Sequence, residues 1–207
     1  VNSVDLPEWV KLIVVGQYST NCYLISDFHQ CLVIDPGGDG EKIFRSLPEG
    51  KEKISILLTH GHADHWAGLS RLEEFLPEAE VFYPEGDEEF LKKPNLHFLR
   101  FLGGEVPQNL GEPISPHGEF RIGELHFSVL HLPGHTPGHL ALYGNGLLFA
   151  GDVVFKDGVG RTDFPGGSAE DLRSSLKLIL SLPPETIICP GHGPLTTVKE
   201  VQGSLGI

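Results

Sequence analysis

A chain of 207 residues with 40% hydrophobic side chains can bury the core of one large domain and is short for two, so a single domain over 1–207 is expected. Its 28 acidic against 15 basic side chains leave a formal charge of −13, a field that repels phosphate backbones and anionic membranes and argues against nucleic-acid or membrane partners. Three cysteines, Cys22, Cys31 and Cys189, include no close-set pair for a disulfide framework or a thiolate zinc site. With no export signal in Val1–Gly16 and no apolar run of membrane-spanning length, a reducing, cytoplasmic setting is expected.

Short β-branched or apolar runs at Leu12–Val15, Tyr23–Ile25 and Leu32–Ile34 predict a meander of strands, the last ending in the turn Asp35-Pro36-Gly37-Gly38. A buried strand follows at Ile54–Leu58, then the polar stretch Thr59–His65, then Leu69, Leu72, Phe75 and Leu76 at helical spacing. Between about Pro84 and Gly118 the chain is rich in Pro, Gly and charge around an apolar patch at Phe98, Leu99, Phe101 and Leu102. This reads as an excursion whose patch packs on the sheet layer, with cover for a substrate channel as the alternative.

Further strands are expected at Leu125–Leu130, His139–Leu142 and Leu147–Ala150. A helix follows from about Ala169 to Leu180, with Ser168 and Asp171 at capping-box spacing and Pro183-Pro184 behind it. A last strand, Thr186–Cys189, runs into Pro190-Gly191-His192-Gly193-Pro194.

The 11 histidines matter more than the strands. Candidate metal ligands stand where strands have just ended, in Gly- or Pro-marked turns: His60, His62, Asp64 and His65; His135; Asp152; and His192. In an extended segment His60 and His62, two apart, point to one side and can chelate one ion. Asp64 and His65, opening the next helix, would diverge toward a second. Imidazole and carboxylate donors suit zinc, iron or manganese better than calcium.

Taken singly, Asp64 reads as a helix N-cap, Asp152 as a turn residue, and His135 and His192 as hydrogen-bonding side chains in glycine-rich turns. Together, five histidines and two aspartates at successive strand ends are hard to produce for structural reasons. His139, opening a strand, reads as a support for a ligand or a satisfied core histidine. Cys189, three residues before His192, reads as a core residue rather than a thiolate ligand.

The runs Thr59-His60-Gly61-His62-Ala63-Asp64-His65, Pro133-Gly134-His135-Thr136-Pro137-Gly138-His139, Ala150-Gly151-Asp152 and Pro190-Gly191-His192-Gly193 together resemble the metallo-β-lactamase superfamily, in the branch of glyoxalase II and its small bacterial relatives. The resemblance implies an α/β fold, an αβ/βα four-layer sandwich of two mixed sheets with outer helices. It also implies two divalent ions, zinc first, with iron or manganese as alternatives. His60, His62 and His135 would hold the first ion, Asp64, His65 and His192 the second, and Asp152 would bridge. The full-length glutathione thioesterases have Lys and Tyr where this chain has Arg161 and Asp163. They also add a helical C-terminal domain, which is not expected in a chain that stops fifteen residues after His192.

The implied activity is hydrolysis of a small-molecule thioester or similarly activated acyl substrate by a metal-bridging hydroxide. Metal lowers the pKa of water from 15.7 to about 7, roughly 12 kcal/mol of hydroxide stabilisation. Asp64 and Asp152 would position that hydroxide, and Arg161 would bind an anionic substrate tail or else form a surface ion pair. The alternative is a persulfide dioxygenase, to which the motifs are also similar, with one iron on His60, His135 and Asp152.

Overall fold

Cys31 and Val33 face one hydrophobic cluster while Leu32 and Ile34, alternating with them, face another. Leu147 and Phe149 likewise point into the second cluster, and Leu148 and Ala150 into a third. Strands apolar on both faces must be covered on both sides, so three clusters define the interfaces of four layers. The computed structural model describes residues 4–206, so the extremities of the expected 1–207 domain, Val1–Ser3 and Ile207, lie outside the described residues.

The first sheet runs in chain order: β1 (Val10–Val15), β2 (Thr20–Ser26), β3 (Gln30–Ile34), β4 (Lys53–Leu57), β5 (Glu80–Pro84) and β6 (Glu112–Ile114). It is antiparallel from β1 to β3 and parallel from β3 to β6. The second sheet takes β7 (Glu119–Ile122), β8 (Leu125–His131), β9 (Leu140–Gly144) and β10 (Leu147–Gly151). The chain leaves it in a hairpin, β11 (Val154–Phe155) and β12 (Gly158–Val159), and returns as β13 (Ile187–Pro190) and β14 (Thr196–Thr197). The spatial order is β14-β13-β10-β9-β8-β7, parallel only between β10 and β13.

Helices α1 (Gly40–Ser46), α2 (Leu69–Phe75), α3 (Glu88–Lys92) and α4 (Leu96–Phe101) cover the first sheet through Ile43, Leu69, Leu72, Leu91 and Leu99. Helices α5 (Ala169–Leu180) and α6 (Val198–Leu205) cover the second through Leu172, Ile179, Val198 and Val201. This is the expected four-layer sandwich with mixed sheets. Helix α5 has the predicted bounds, and the Ser168 hydroxyl accepts the Asp171 N–H at 3.2 Å as the capping pattern requires.

Two local expectations change. Asp64 and His65 do not open a helix: Ala63–His65 form a separate 3-10 turn, and α2 begins only at Leu69. The residues between bury Trp66, whose indole N–H donates to Gly61 O at 2.9 Å, and tie Gly68 N–H to Pro36 O at 2.8 Å. The 84–118 excursion is also more regular than its composition indicates, containing a 3-10 turn (Glu85–Asp87), α3, α4 and β6. Its apolar patch divides: Leu99 and Leu102 are buried in the helix layer, Phe98 reaches the cleft described below, and Phe101 is exposed.

Candidate metal centre

Parallel neighbours end on the same side of a sheet, so the turns after β3 and β4, and those after β10 and β13, are brought together in pairs. The two sheets are then pinned to each other at these ends. Asn21 of β2 donates its amide to Pro190 O at 2.9 Å and Gly193 O at 2.8 Å, and the Tyr23 hydroxyl donates to Pro190 O at 2.7 Å. Leu140 N–H donates to Thr59 O at 2.8 Å, which joins β9 to the turn after β4. Four turns distant in sequence therefore meet.

Two trios of donors converge there. His60, His62 and His135 form one and Asp64, His65 and His192 the other, with the ligand atoms of each trio within 4.8 Å of one another. In the first, His62 Nδ1 and His135 Nε2 are 2.9 Å apart; in the second, His65 Nε2 and His192 Nε2 are 3.2 Å apart. Nitrogens bound tetrahedrally to one zinc-sized ion are roughly 3.3 Å apart, so both pairs are close to chelating separation. Asp152 stands between the trios: its Oδ2 is 3.8 Å from His135 Nε2 and 3.5 Å from His192 Nε2, and its Oδ1 is 3.4 Å from His65 Nε2. Asp64 Oδ2 is 3.3 Å from His192 Nε2.

Partners behind the rings orient them. His65 Nδ1 donates to Asp35 Oδ2 at 2.8 Å, His135 Nδ1 to Arg161 O at 2.8 Å, and His192 Nδ1 to Tyr18 O at 3.0 Å. His60 Nδ1 lies 3.1 Å from Thr59 Oγ1, whose own proton goes to Asp35 Oδ2 at 2.7 Å. A proton fixed on Nδ1 leaves the Nε2 lone pair of these four rings facing inward. His60 Nε2 and Asp152 Oδ1 are buried without a hydrogen-bond partner, as metal donors would be in the absence of the ion. The donor set and these orphaned atoms fit two divalent cations. A third grouping, Asp35 with His60 and His65, is a support rather than a site, because Asp35 already accepts from Thr59 N–H, Thr59 Oγ1 and His65 Nδ1.

The two trios differ electrostatically. Burial, followed by the neighbouring histidine charges, pushes His60 well below its ordinary pKa, and burial with His135 pushes His62 down to about 4. Burial also opposes charge on His65 and His192. There the carboxylates prevail: Asp152 and Asp35 hold His65 well above its ordinary value, and Asp64 and Asp152 raise His192. Burial works against the carboxylates of Asp152 and Asp64 too, yet the facing histidines hold both below the usual range.

Several contributors have no motif to reveal them. Asp35 reads from sequence as a turn residue, yet it is buried at φ 52° and orients His65 and Thr59. Asp87, in the excursion, is fully buried and accepts from Gly61 N–H at 2.8 Å, Thr136 Oγ1 at 2.6 Å and Gly138 N–H at 2.7 Å. One carboxylate thus fastens the turn carrying His60 and His62 to the turn carrying His135. Gly191 has no room for a side chain: a Cβ would collide with Asp152 Oδ1 and stand 2.6 Å from His65 Cε1.

His139 supports a ligand, its Nε2 accepting the Asp152 N–H at 3.0 Å and its ring stacking on His60 at 4.9 Å. Cys189 is buried in β13 among the residues between the sheets. Arg161 lines the cleft, but its guanidinium is paired with Asp163 at 2.9 and 2.7 Å and stacks on Phe164 at 4.3 Å. The surface ion pair expected as the alternative is therefore present, and Arg161 faces the cleft with its charge shared with Asp163.

A fold of two mixed sheets with outer helices and a histidine–aspartate centre at the strand ends defines a class, and the comparisons agree with it. Residues 15–192 match the family model described as the metallo-beta-lactamase superfamily, and the chain belongs to that family. It is 33% identical over 206 residues to the hydroxyacylglutathione hydrolase GloC of Haemophilus influenzae, covering 94% of this chain and 95% of that one. Two solved structures superpose with a TM-score of 0.83. One is the B3 metallo-beta-lactamase BLEG-1, at 33% identity over 94% of this chain and 96% of that one. The other is a protein crystallised in a di-iron-bound form, at 36% identity over 94% and 97%. ETHE1 from Myxococcus xanthus is similar at TM-score 0.72, 29% identity and coverage of 93% and 81%. Among the described residues no helix is long and apolar enough to cross a membrane.

Proposed function

We propose that this protein is a metal-dependent hydrolase of a small-molecule thioester or similarly activated acyl compound. The observation that carries the reading is Asp152 standing between two donor trios drawn from three turns, itself on a fourth. His60, His62 and His135 would hold one ion, Asp64, His65 and His192 the other, and Asp152 would bridge. When bound, divalent metal supplies Lewis acidity for a carbonyl oxygen and a water acidic enough to ionise near pH 7.

The chain's own residues prepare that chemistry. Asp35, Thr59, Arg161 O and Tyr18 O aim the imidazoles. Asp64 and Asp152, kept ionised by the facing histidines, would offset cationic charge and accept a hydrogen bond from a proton-bearing oxygen at the site. Phe90 and Phe164 pack edge-on against His62, each at 5.5 Å, and exclude water from that side. Neither a serine nor a cysteine nucleophile is required: the three thiols are buried, and burial pushes Cys31 up to about 12. Those buried free thiols support a reducing compartment.

The likeness to ETHE1 favours one other reading, a mononuclear-iron persulfide dioxygenase using His60, His135 and Asp152. Metal analysis of protein purified without added metal separates the two. It is paired with hydrolysis of a thioester panel that includes S-D-lactoylglutathione, and with oxygen uptake on glutathione persulfide. Near two ions per chain with thioester cleavage is the expected result. One iron per chain, with oxygen uptake and no thioester cleavage, overturns it.

A further inference from the structure

The cleft over the two trios has a volume of about 730 Å³, and its walls are dominated by five aromatic side chains, Tyr18, Phe90, Phe98, Phe155 and Phe164. Phe90 and Phe164 flank His62, and Tyr18 meets Phe98 edge to face at 5.8 Å. Tyr18 and Phe164 remain 51% and 40% exposed, a sizeable apolar area left open to water at the mouth. Histidines aside, the formal cations lining the cleft among the described residues are Lys93 and Arg161. Each has a carboxylate partner, Glu89 at 3.1 Å from Lys93 and Asp163 in a two-pronged pair with Arg161. Stacked on Phe164, the Arg161 guanidinium extends a flat wall.

Resting on the hydrolase reading above, we infer that the substrate carries an apolar alkyl or aryl acyl group on a carrier without several anionic charges. A carrier such as glutathione brings two carboxylates. The cations at hand for them, Lys93 and Arg161, already share their charge with Glu89 and Asp163, and the net charge of −13 adds repulsion. The aromatic walls, by contrast, recover the free energy of taking an apolar chain out of water without any rearrangement.

The test compares acetyl, hexanoyl and phenylacetyl thioesters of N-acetylcysteamine, a neutral carrier, with S-D-lactoylglutathione on the metal-loaded protein. Each buried methylene should raise kcat/KM two- to fourfold, so hexanoyl should exceed acetyl by at least about tenfold, and both longer thioesters should exceed S-D-lactoylglutathione. Phe98→Ala should raise KM for the hexanoyl thioester about fivefold more than for the acetyl one. A second readout needs no turnover: by calorimetry, metal-free protein should bind S-hexyl-N-acetylcysteamine more tightly than S-hexylglutathione. A flat chain-length series with S-D-lactoylglutathione as the best substrate overturns this inference and leaves the hydrolase reading standing. If no thioester is cleaved, the hydrolase reading fails and the calorimetric preference alone decides the inference, equal or reversed affinities refuting it.

Discussion

Removing the Asp87 carboxylate should loosen the centre without touching a single ligand. Three donors converge on it: Gly61 N–H, Thr136 Oγ1–H and Gly138 N–H, at 2.6 to 2.8 Å. Charge-assisted bonds contribute roughly 1.5–3 kcal/mol each, so three total roughly 5–9 kcal/mol. Burial takes back several of these, since it pushes the Asp87 carboxyl above its ordinary pKa in spite of the three donors. The remainder, about 3–5 kcal/mol, matches the cost of removing one partner of a buried charged contact.

Asp87→Ala should therefore lower the melting temperature of the metal-free protein by about 10 °C, at roughly 2–4 °C per kcal/mol for a chain of this length. Asp87→Asn keeps the shape, and its carbonyl can still serve Gly61 and Thr136, but its amide would face the Gly138 N–H donor to donor, costing about 2 kcal/mol. Both variants should weaken the His60, His62 and His135 trio, read by competition with a coloured chelator. A melting temperature within 2 °C of wild type and unchanged metal uptake in Asp87→Ala would refute the clamp.

Asp35→Asn removes the carboxylate behind His65, and supports of this kind typically contribute 10- to 100-fold in metal affinity; chelator competition should show the loss at the second trio, and an unchanged affinity would remove Asp35 from the account. The trios should also differ in proton release. His65 and His192, raised by carboxylates, hold an added proton to higher pH in the metal-free protein than His60 and His62, which burial and neighbouring histidines lower, so filling the second trio displaces more protons. Affinity at the second trio should accordingly rise with pH through the raised values. Calorimetry in buffers of different ionisation enthalpy should find more protons released on filling that trio, and equal release from both would contradict the assignment. Gly191→Ala forces a methyl into Asp152 and His65, an overpacking cost of about 1–3 kcal/mol. It should lower metal content measured by atomic emission, and full retention of two ions would show that the turn yields freely.

The elements legible in the sequence share one property, that their signal is local. Short apolar runs placed Leu32–Ile34 and Leu147–Ala150 in strands that do form, helical spacing with a cap placed Ala169–Leu180, and glycine and proline marked the four turns that carry His60, His135, Asp152 and His192. Weak elements such as α3, α4 and β6 escaped because their short runs are crossed by proline and charge, and only packing on the first sheet stabilises them. The turn at Ala63–His65 escaped because burying Trp66 overrides the local helical pattern.

Motif spacing named candidate ligands without locating them relative to one another. Tertiary structure decided their convergence and their supports, because those bonds join residues far apart in the chain. Asp87 reaches partners 26, 49 and 51 residues away, and Asn21 holds the His192 turn from 169 residues away. A hydrogen bond across such a separation leaves no periodicity in the sequence. It arises only when two sheets pack face to face and bring the ends of their strands to one edge.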